Sequence, residues 1–96
     1  MPRNPIRRSK YWVYIVQCKD GTYYTGYTND LERRISQHSS GNGAKFLKRK
    51  APIRLAYAKE YKYFKNALRA ERKIKKLTRN QKERLIRNYS ETIMQD

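Results

Sequence analysis

A chain of 96 residues carrying 24 lysines and arginines against eight aspartates and glutamates has a formal charge of +16. That length makes one compact domain, which buries about two-thirds of its unfolded surface, and charge of one sign on so small a body costs self-repulsion unless a polyanion relieves it. Nucleic acid is therefore the expected partner; the lone cysteine, Cys18, excludes an internal disulfide and a cysteine-based zinc site, and the longest apolar run, Tyr11 to Val16, is too short to span a bilayer.

The opening MPRNPIRRSK, with two prolines and four cations, reads as a flexible basic arm over residues 1–10. The chain has neither the long, clean apolar face nor the lipidation signal of a basic membrane-surface protein, so no membrane association is expected and it reads as cytoplasmic. Tyr11 to Cys18 and Thr22 to Thr28 are rich in aromatic and β-branched residues and flank Lys19-Asp20-Gly21, which predicts a hairpin. A two-residue Asp-Gly loop would place Tyr14 and Tyr24 on opposite faces. A three-residue loop, a type I turn with Gly21 left-handed, places them on one face and is the preferred reading. That register sets Tyr14 opposite Gly26, where the missing side chain leaves room for a phenol to reach a ligand.

Asn29 followed by Glu32 resembles a capping box opening a helix that runs to about Ser39, with Gly41 as its stop. At 100° per residue Leu31, Arg34, Ile35 and His38 share one stripe, whereas Arg33 points about 100° or more away from each. Arg34 and His38 thus stack beside the core face, and Arg33 belongs to solvent. Ser39 to Ala51, with two glycines, two serines and four cations, reads as a mobile basic loop. A third strand, about Ile53 to Tyr61, is expected to turn Ile53, Leu55 and Tyr57 toward one side. A second helix, Phe64 to Leu77, should bury Phe64, Ala67, Leu68 and Ile74, with Glu71 in the middle of that stripe. Thr78 with Gln81 makes another capping box, opening a third helix whose Leu85, Ile86 and Tyr89 pack back on the domain. The expected fold is α+β, a small three-stranded antiparallel sheet flanked by helices in the order β-β-α-β-α-α, with residues 11–89 as the domain and 90–96 as a tail.

A carboxylate in an apolar helix stripe is costly unless paired or metal-bound, so Glu71 is the most informative residue outside the hairpin. Its ordinary reading is a salt bridge to Lys75 one turn on. Mg²⁺ is the exception, since it often uses one or two carboxylates and takes water and phosphate for the rest. Aromatic residues interleaved with cations could equally stack single-stranded bases, so binding without chemistry stands as the alternative. Lys45, the run Lys48 to Lys50 and the run Arg72 to Lys76 are candidate phosphate contacts.

From Tyr11 to about Ile86 the chain resembles the GIY-YIG nuclease superfamily, in particular its small stand-alone bacterial members. Trp12-Val13-Tyr14 corresponds to the first motif and Tyr24-Thr25-Gly26 to the second, the two tyrosines ten residues apart. The family's helical arginine falls on Arg34, its frequent histidine on His38 and its metal-binding glutamate on Glu71. Trp12 replaces a glycine, Thr25 an isoleucine, Tyr27 stands where some members carry lysine, and Glu83 occupies the spacing at which some relatives have an asparagine. The resemblance implies hydrolysis of a phosphodiester with one Mg²⁺ or Mn²⁺ held by Glu71. It implies Tyr14 as general base or base relay, Tyr24 as orienting group, His38 as a competing base and Arg34 as phosphate clamp. Tyr27, Lys45, Lys48, Arg49, Lys50 and Lys75 are the expected nucleic-acid contacts. DNA is the expected substrate, with RNA not excluded. Recognition should follow structure rather than sequence, because no helix-turn-helix, zinc finger or second domain is available, and a role in DNA repair or recombination fits. A monomer without an obligate protein partner is expected.

Overall fold

A computed structural model of the chain describes residues 10–40 and 53–94. The basic arm before Lys10, the Gly41 stop and the loop cations Lys45, Lys48, Arg49 and Lys50 lie outside the described residues. Three strands, β1 (Tyr11–Cys18), β2 (Tyr23–Thr28) and β3 (Ile53–Tyr61), form one antiparallel sheet in the order β2-β1-β3. The helices are α1 (Leu31–Ser39), α2 (Phe64–Lys75) and α3 (Arg79–Met94). This is the α+β arrangement expected from the sequence.

The central strand is the most apolar because both its faces are covered. Val13 and Ile15 point to one face, where with Tyr57 they pack under Ala67 and Ile74 of α2 and beside Leu85, Ile86 and Tyr89 of α3. Tyr14, Val16 and Cys18 point to the other, against Leu31 and Ile35 of α1. Val13, Ile15 and Val16 are wholly buried, each contributing roughly 1.5–3 kcal/mol by leaving water.

The hairpin closes through the three-residue loop. Gly21 N–H donates to the Cys18 carbonyl at 2.9 Å and Cys18 N–H to the Thr22 carbonyl at 2.9 Å, while Gly21 sits at φ +88°, a conformation a side chain would strain. Tyr14 then pairs with Gly26 and Val16 with Tyr24, so the two tyrosines share a face. Asp20 steadies the turn by accepting from Thr22 N–H at 3.1 Å and from its hydroxyl at 2.6 Å.

Four local expectations are corrected. The cap of α1 is Asp30 rather than Asn29: its carboxylate accepts from Arg33 N–H at 3.2 Å, and Thr28 Oγ1, accepting from Asp30 N–H at 3.1 Å, fixes the chain one residue later than a box with Glu32 requires. Ile53, Leu55 and Tyr57 do not share a side. A bulge slips the β1–β3 register between Ile15↔Tyr57 and Val16↔Leu55, so Ile53 and Leu55 join the α1 side and Tyr57 the other. Phe64 is 42% exposed rather than buried, since it opens α2 at the sheet's rim, and α2 itself ends at Lys75 rather than Leu77. Helix α3 runs from Arg79 to Met94.

The Thr78–Gln81 box forms reciprocally: Thr78 N–H donates to Gln81 Oε1 at 2.9 Å and Gln81 N–H to Thr78 Oγ1 at 3.2 Å. Just inside it, Arg79 reaches back to the hairpin. Its guanidinium donates to the Gly21 carbonyl at 3.0 Å, lies 4.8 Å from the centre of the Tyr23 ring and pairs with Glu83 at 3.2 Å.

Thr25, on β2 and paired with Ile15, is buried with its hydroxyl lacking a hydrogen-bond partner among the described residues. An unpaired buried hydroxyl costs about 1–3 kcal/mol. Thr25→Val keeps the shape and removes that group, so the thermal midpoint should rise by several degrees, at about 4–8 °C per kcal/mol for a domain of this size. An unchanged or lower midpoint would show that solvent satisfies the hydroxyl.

Candidate active site

The site begins where the hairpin leaves a gap. Gly26 faces Tyr14 across the β1–β2 pair, and a Cβ built on it would stand 2.6 Å from the Tyr14 hydroxyl oxygen and 2.8 Å from the carbon that bears it. The phenol therefore crosses the backbone of β2 where only glycine permits it. Beyond that crossing its oxygen is 2.8 Å from Nε2 of His38, which is buried on the last turn of α1. The Tyr24 ring stands edge-on to the same imidazole at 5.6 Å between centroids. Strand register and helix phase thus bring Tyr14, Tyr24 and His38 into one cluster.

Arg34, one turn before His38, is half-buried, whereas Arg33 is exposed. The difference follows from helix phase alone. Burial lowers the His38 pKa below its ordinary 6.5, and the Arg34 guanidinium lowers it further, so the imidazole is neutral at pH 7. The Tyr14 phenol is pushed up, first by burial and then by the neighbouring Tyr24; Arg34 opposes this and Glu71 adds to it. Tyr14 thus keeps its proton, and in the Nδ1–H tautomer of His38 its hydroxyl donates to Nε2. Arg34 and Glu71, on different helices, act on one phenol.

Glu71 is buried in α2 between Ala67 and Ile74. Its Oε2 lies 3.4 Å from Lys75 Nζ, so the ordinary pairing exists and Lys75, expected as a nucleic-acid contact, meets a carboxylate. The ammonium end remains mostly in water, which leaves it able to turn away. Among the described residues no three His, Cys, Asp or Glu side chains gather as a metal cluster. A single buried carboxylate with water and phosphate as further ligands fits a hard ion such as Mg²⁺ rather than zinc.

Tyr27 and Arg34 line an open cleft of about 440 Å³ together with Tyr11, Thr28, Asn29 and Phe64. Asn29 and Phe64 were read from the sequence as a helix cap and a core residue; the signal for their position was the end of β2, where the chain turns around the sheet edge. Along α2, Lys65, Arg69, Arg72, Lys73 and Lys76 are all exposed and fall within about 100° of helix circumference. They form a cationic ridge, of which the sequence run Arg72 to Lys76 marked only the end. A larger cleft of about 1370 Å³ on the α1 side carries Asp30, Glu32 and Glu60 against Lys10 and Lys62, a less favourable lining for a polyanion than the cationic ridge. No helix among the described residues is long and apolar enough to cross a membrane.

Residues 10–84 match the family model described as the GIY-YIG catalytic domain. The chain is 45% identical over 74 residues to a UPF0213 protein of Halobacterium salinarum, covering 77% of this chain and 96% of that one. It is 41% identical over 91 residues to the UPF0213 protein YazA of Bacillus subtilis, covering 92% of each. The solution NMR structure of a UPF0213 protein from Bacillus halodurans superposes with a TM-score of 0.54 at 44% identity, over 80% of this chain and 82% of that one. A solution NMR structure of a protein from E. faecalis gives 0.57 at 36% identity, over 91% and 88%.

The electrostatics of the cluster can be read in solution. His38 should titrate below 6.5 by NMR, and Arg34→Gln, which removes a cation that opposes protonation, should move that titration upward. Because the folded-state pKa is depressed, protonation favours the unfolded chain; stability falls as pH drops from 6.5 through the folded value, and Arg34→Gln should shrink that loss. A His38 titration insensitive to Arg34 would separate the two groups.

Proposed function

Because this chain belongs to the family of GIY-YIG catalytic domains, a nuclease family, we propose that it is a metal-dependent endonuclease that hydrolyses phosphodiesters of DNA by recognising structure rather than sequence. The observation that carries this reading is the 2.8 Å hydrogen bond from Tyr14 to a buried His38, a proton path built over Gly26. Water attacking phosphorus must lose a proton as it bonds, and a phenol that ordinarily titrates near 10 is a poor base alone. Tyr14 takes that proton only as it passes its own to neutral His38. His38 is then the proton sink, Tyr14 the relay, and Tyr24 limits the ring's freedom.

The displaced phosphate gains negative charge, and the Arg34 fork meets it through parallel N–H donors. Glu71 would hold a divalent ion, and such an ion would supply Lewis acidity for departure of the leaving oxygen. Lys75 must release the carboxylate for such an ion to bind, and its exposed ammonium is then free for a neighbouring phosphate. The exposed ridge on α2 supplies sequence-independent attraction, consistent with a role on DNA intermediates of repair or recombination.

The Lys75–Glu71 pair favours a second reading, a nucleic-acid-binding module whose carboxylate is purely structural. Purified protein with Mg²⁺ or Mn²⁺ against plasmid and branched DNA separates the two. On the nuclease reading Glu71→Gln abolishes cleavage while DNA affinity in EDTA is retained, and Lys75→Met lowers the metal concentration giving half-maximal cleavage. If the wild type cuts no DNA or RNA form, the binding module takes its place.

Arg33 and Arg34 give an internal control, since lysine keeps the charge and removes the planar fork. Arg34→Lys should slow single-turnover cleavage by on the order of 10² to 10³ with near-normal DNA binding, and Arg33→Lys should match the wild type. Equal rates for the two variants would remove Arg34 from the phosphate.

A further inference from the structure

Among the described residues three large apolar side chains are exposed: Tyr27 at 38%, Tyr63 at 60% and Phe64 at 42%. Two of them form a single surface. Phe64 stands edge-to-face with Tyr11 at 5.6 Å and with Tyr27 at 5.6 Å between centroids, joining the rim of the sheet to the first turn of α2. A tyrosine at a surface can wet its hydroxyl, but phenylalanine has no polar end, so exposure of Phe64 leaves an apolar face in water without compensation. The rest of the lining of the same cleft is polar, made by Thr28, Asn29 and Arg34. A ligand that satisfies both kinds of lining carries a flat π-system and an anion close together. An apolar peptide would leave Arg34 unmatched, and a phosphate alone would leave the aromatic wall bare. A nucleotide meets both.

The state of that nucleotide follows from stacking. In a duplex the faces of each base are covered by its neighbours, and only a base drawn out of the stack can present one to a side chain. Sequence-tolerant recognition of unpaired strands combines such aromatic platforms with cations that follow the backbone, and the exposed ridge of α2 begins at Lys65, the residue after Phe64. Among the described residues the cleft on the α1 side sets Asp30, Glu32 and Glu60 against Lys10 and Lys62, without the excess of cations that the α2 ridge carries.

We propose that Tyr11, Tyr27 and Phe64 form a stacking subsite for one unpaired nucleobase beside the phosphate held by Arg34, so that the protein selects strands with unpaired nucleotides over intact duplex. The placement of the phosphate rests on the nuclease reading above; the stacking does not. The test therefore begins in EDTA, with a single-stranded oligonucleotide carrying one 2-aminopurine and with a perfect duplex of the same length. Wild-type protein should quench the 2-aminopurine fluorescence on binding. Phe64→Ala should abolish that quenching and weaken single-strand binding about 5- to 150-fold, with duplex affinity unchanged. Phe64→Trp, which keeps a larger π-face, should restore both signals and shows that the site remains folded. Equal losses on single strand and duplex, or none on either, would overturn the subsite even if the protein cuts DNA in a Glu71-dependent way. Quenching that depends on Phe64 in a protein that cuts nothing would uphold the subsite and sink the nuclease reading instead.

Discussion

Tyr14 crossing over Gly26 to reach His38 is the constraint on which the rest of the site depends. A buried phenol needs a partner for its hydroxyl, and a buried imidazole needs one for its ring nitrogen; each serves the other at 2.8 Å. The contact links the central strand, the edge strand and the last turn of α1, so the register of the hairpin and the phase of the helix must agree for it to form. Because a Cβ at position 26 would fall 2.6 Å from the phenol oxygen, the crossing also fixes how closely α1 lies against β2. Arg34 and Tyr24 then take their positions from elements already locked, which is how a small domain holds functional groups on rigid supports.

Much of this geometry was legible because it follows from short-range rules. Lys19-Asp20-Gly21 dictates a loop length, that length dictates a register, and the register decides which tyrosines are neighbours. Helix periodicity likewise separated Arg34 from Arg33 and set Glu71 among Ala67 and Ile74. What remained hidden depended on tertiary context. The bulge in β3 has no residue that announces it, since Ile53, Leu55 and Tyr57 alternate as an unbroken strand would. Asn29 and Asp30 are both good caps, and Thr28 decided between them through a hydrogen bond no propensity encodes. Phe64 looked like core because apolar spacing says nothing about where a helix overhangs its sheet.

Among the described residues charge is also unevenly spread, which gives them two different sides. Three of the chain's eight acidic residues, Asp30, Glu32 and Glu60, meet at the cleft beside α1, and Lys10 is tied to that rim through Glu60 at 3.3 Å. The opposite side carries the cations of α2 and the aromatic cleft. The field of the described residues draws a polyanion toward the second side before it makes a contact. Orientation then costs no dedicated recognition element, which suits a domain of fewer than a hundred residues.

The reach of Arg79 back to the turn at Gly21 has a consequence for how the chain matures. That single side chain ties the start of α3 to a loop 58 residues earlier, through the Gly21 carbonyl and the Tyr23 ring, while Glu83 on the same helix holds its guanidinium in place. The hairpin that presents Tyr14 and Tyr24 is thus held at its tip by an element made late in synthesis. Until α3 has emerged from the ribosome, the strands it secures lack their last tether and the core they share with Leu85, Ile86 and Tyr89 stays open. Opening of the finished molecule should follow the same grouping, with hairpin and α3 exchanging their amide protons together as one cooperative unit. A domain assembled this way stays open until its third helix is in place.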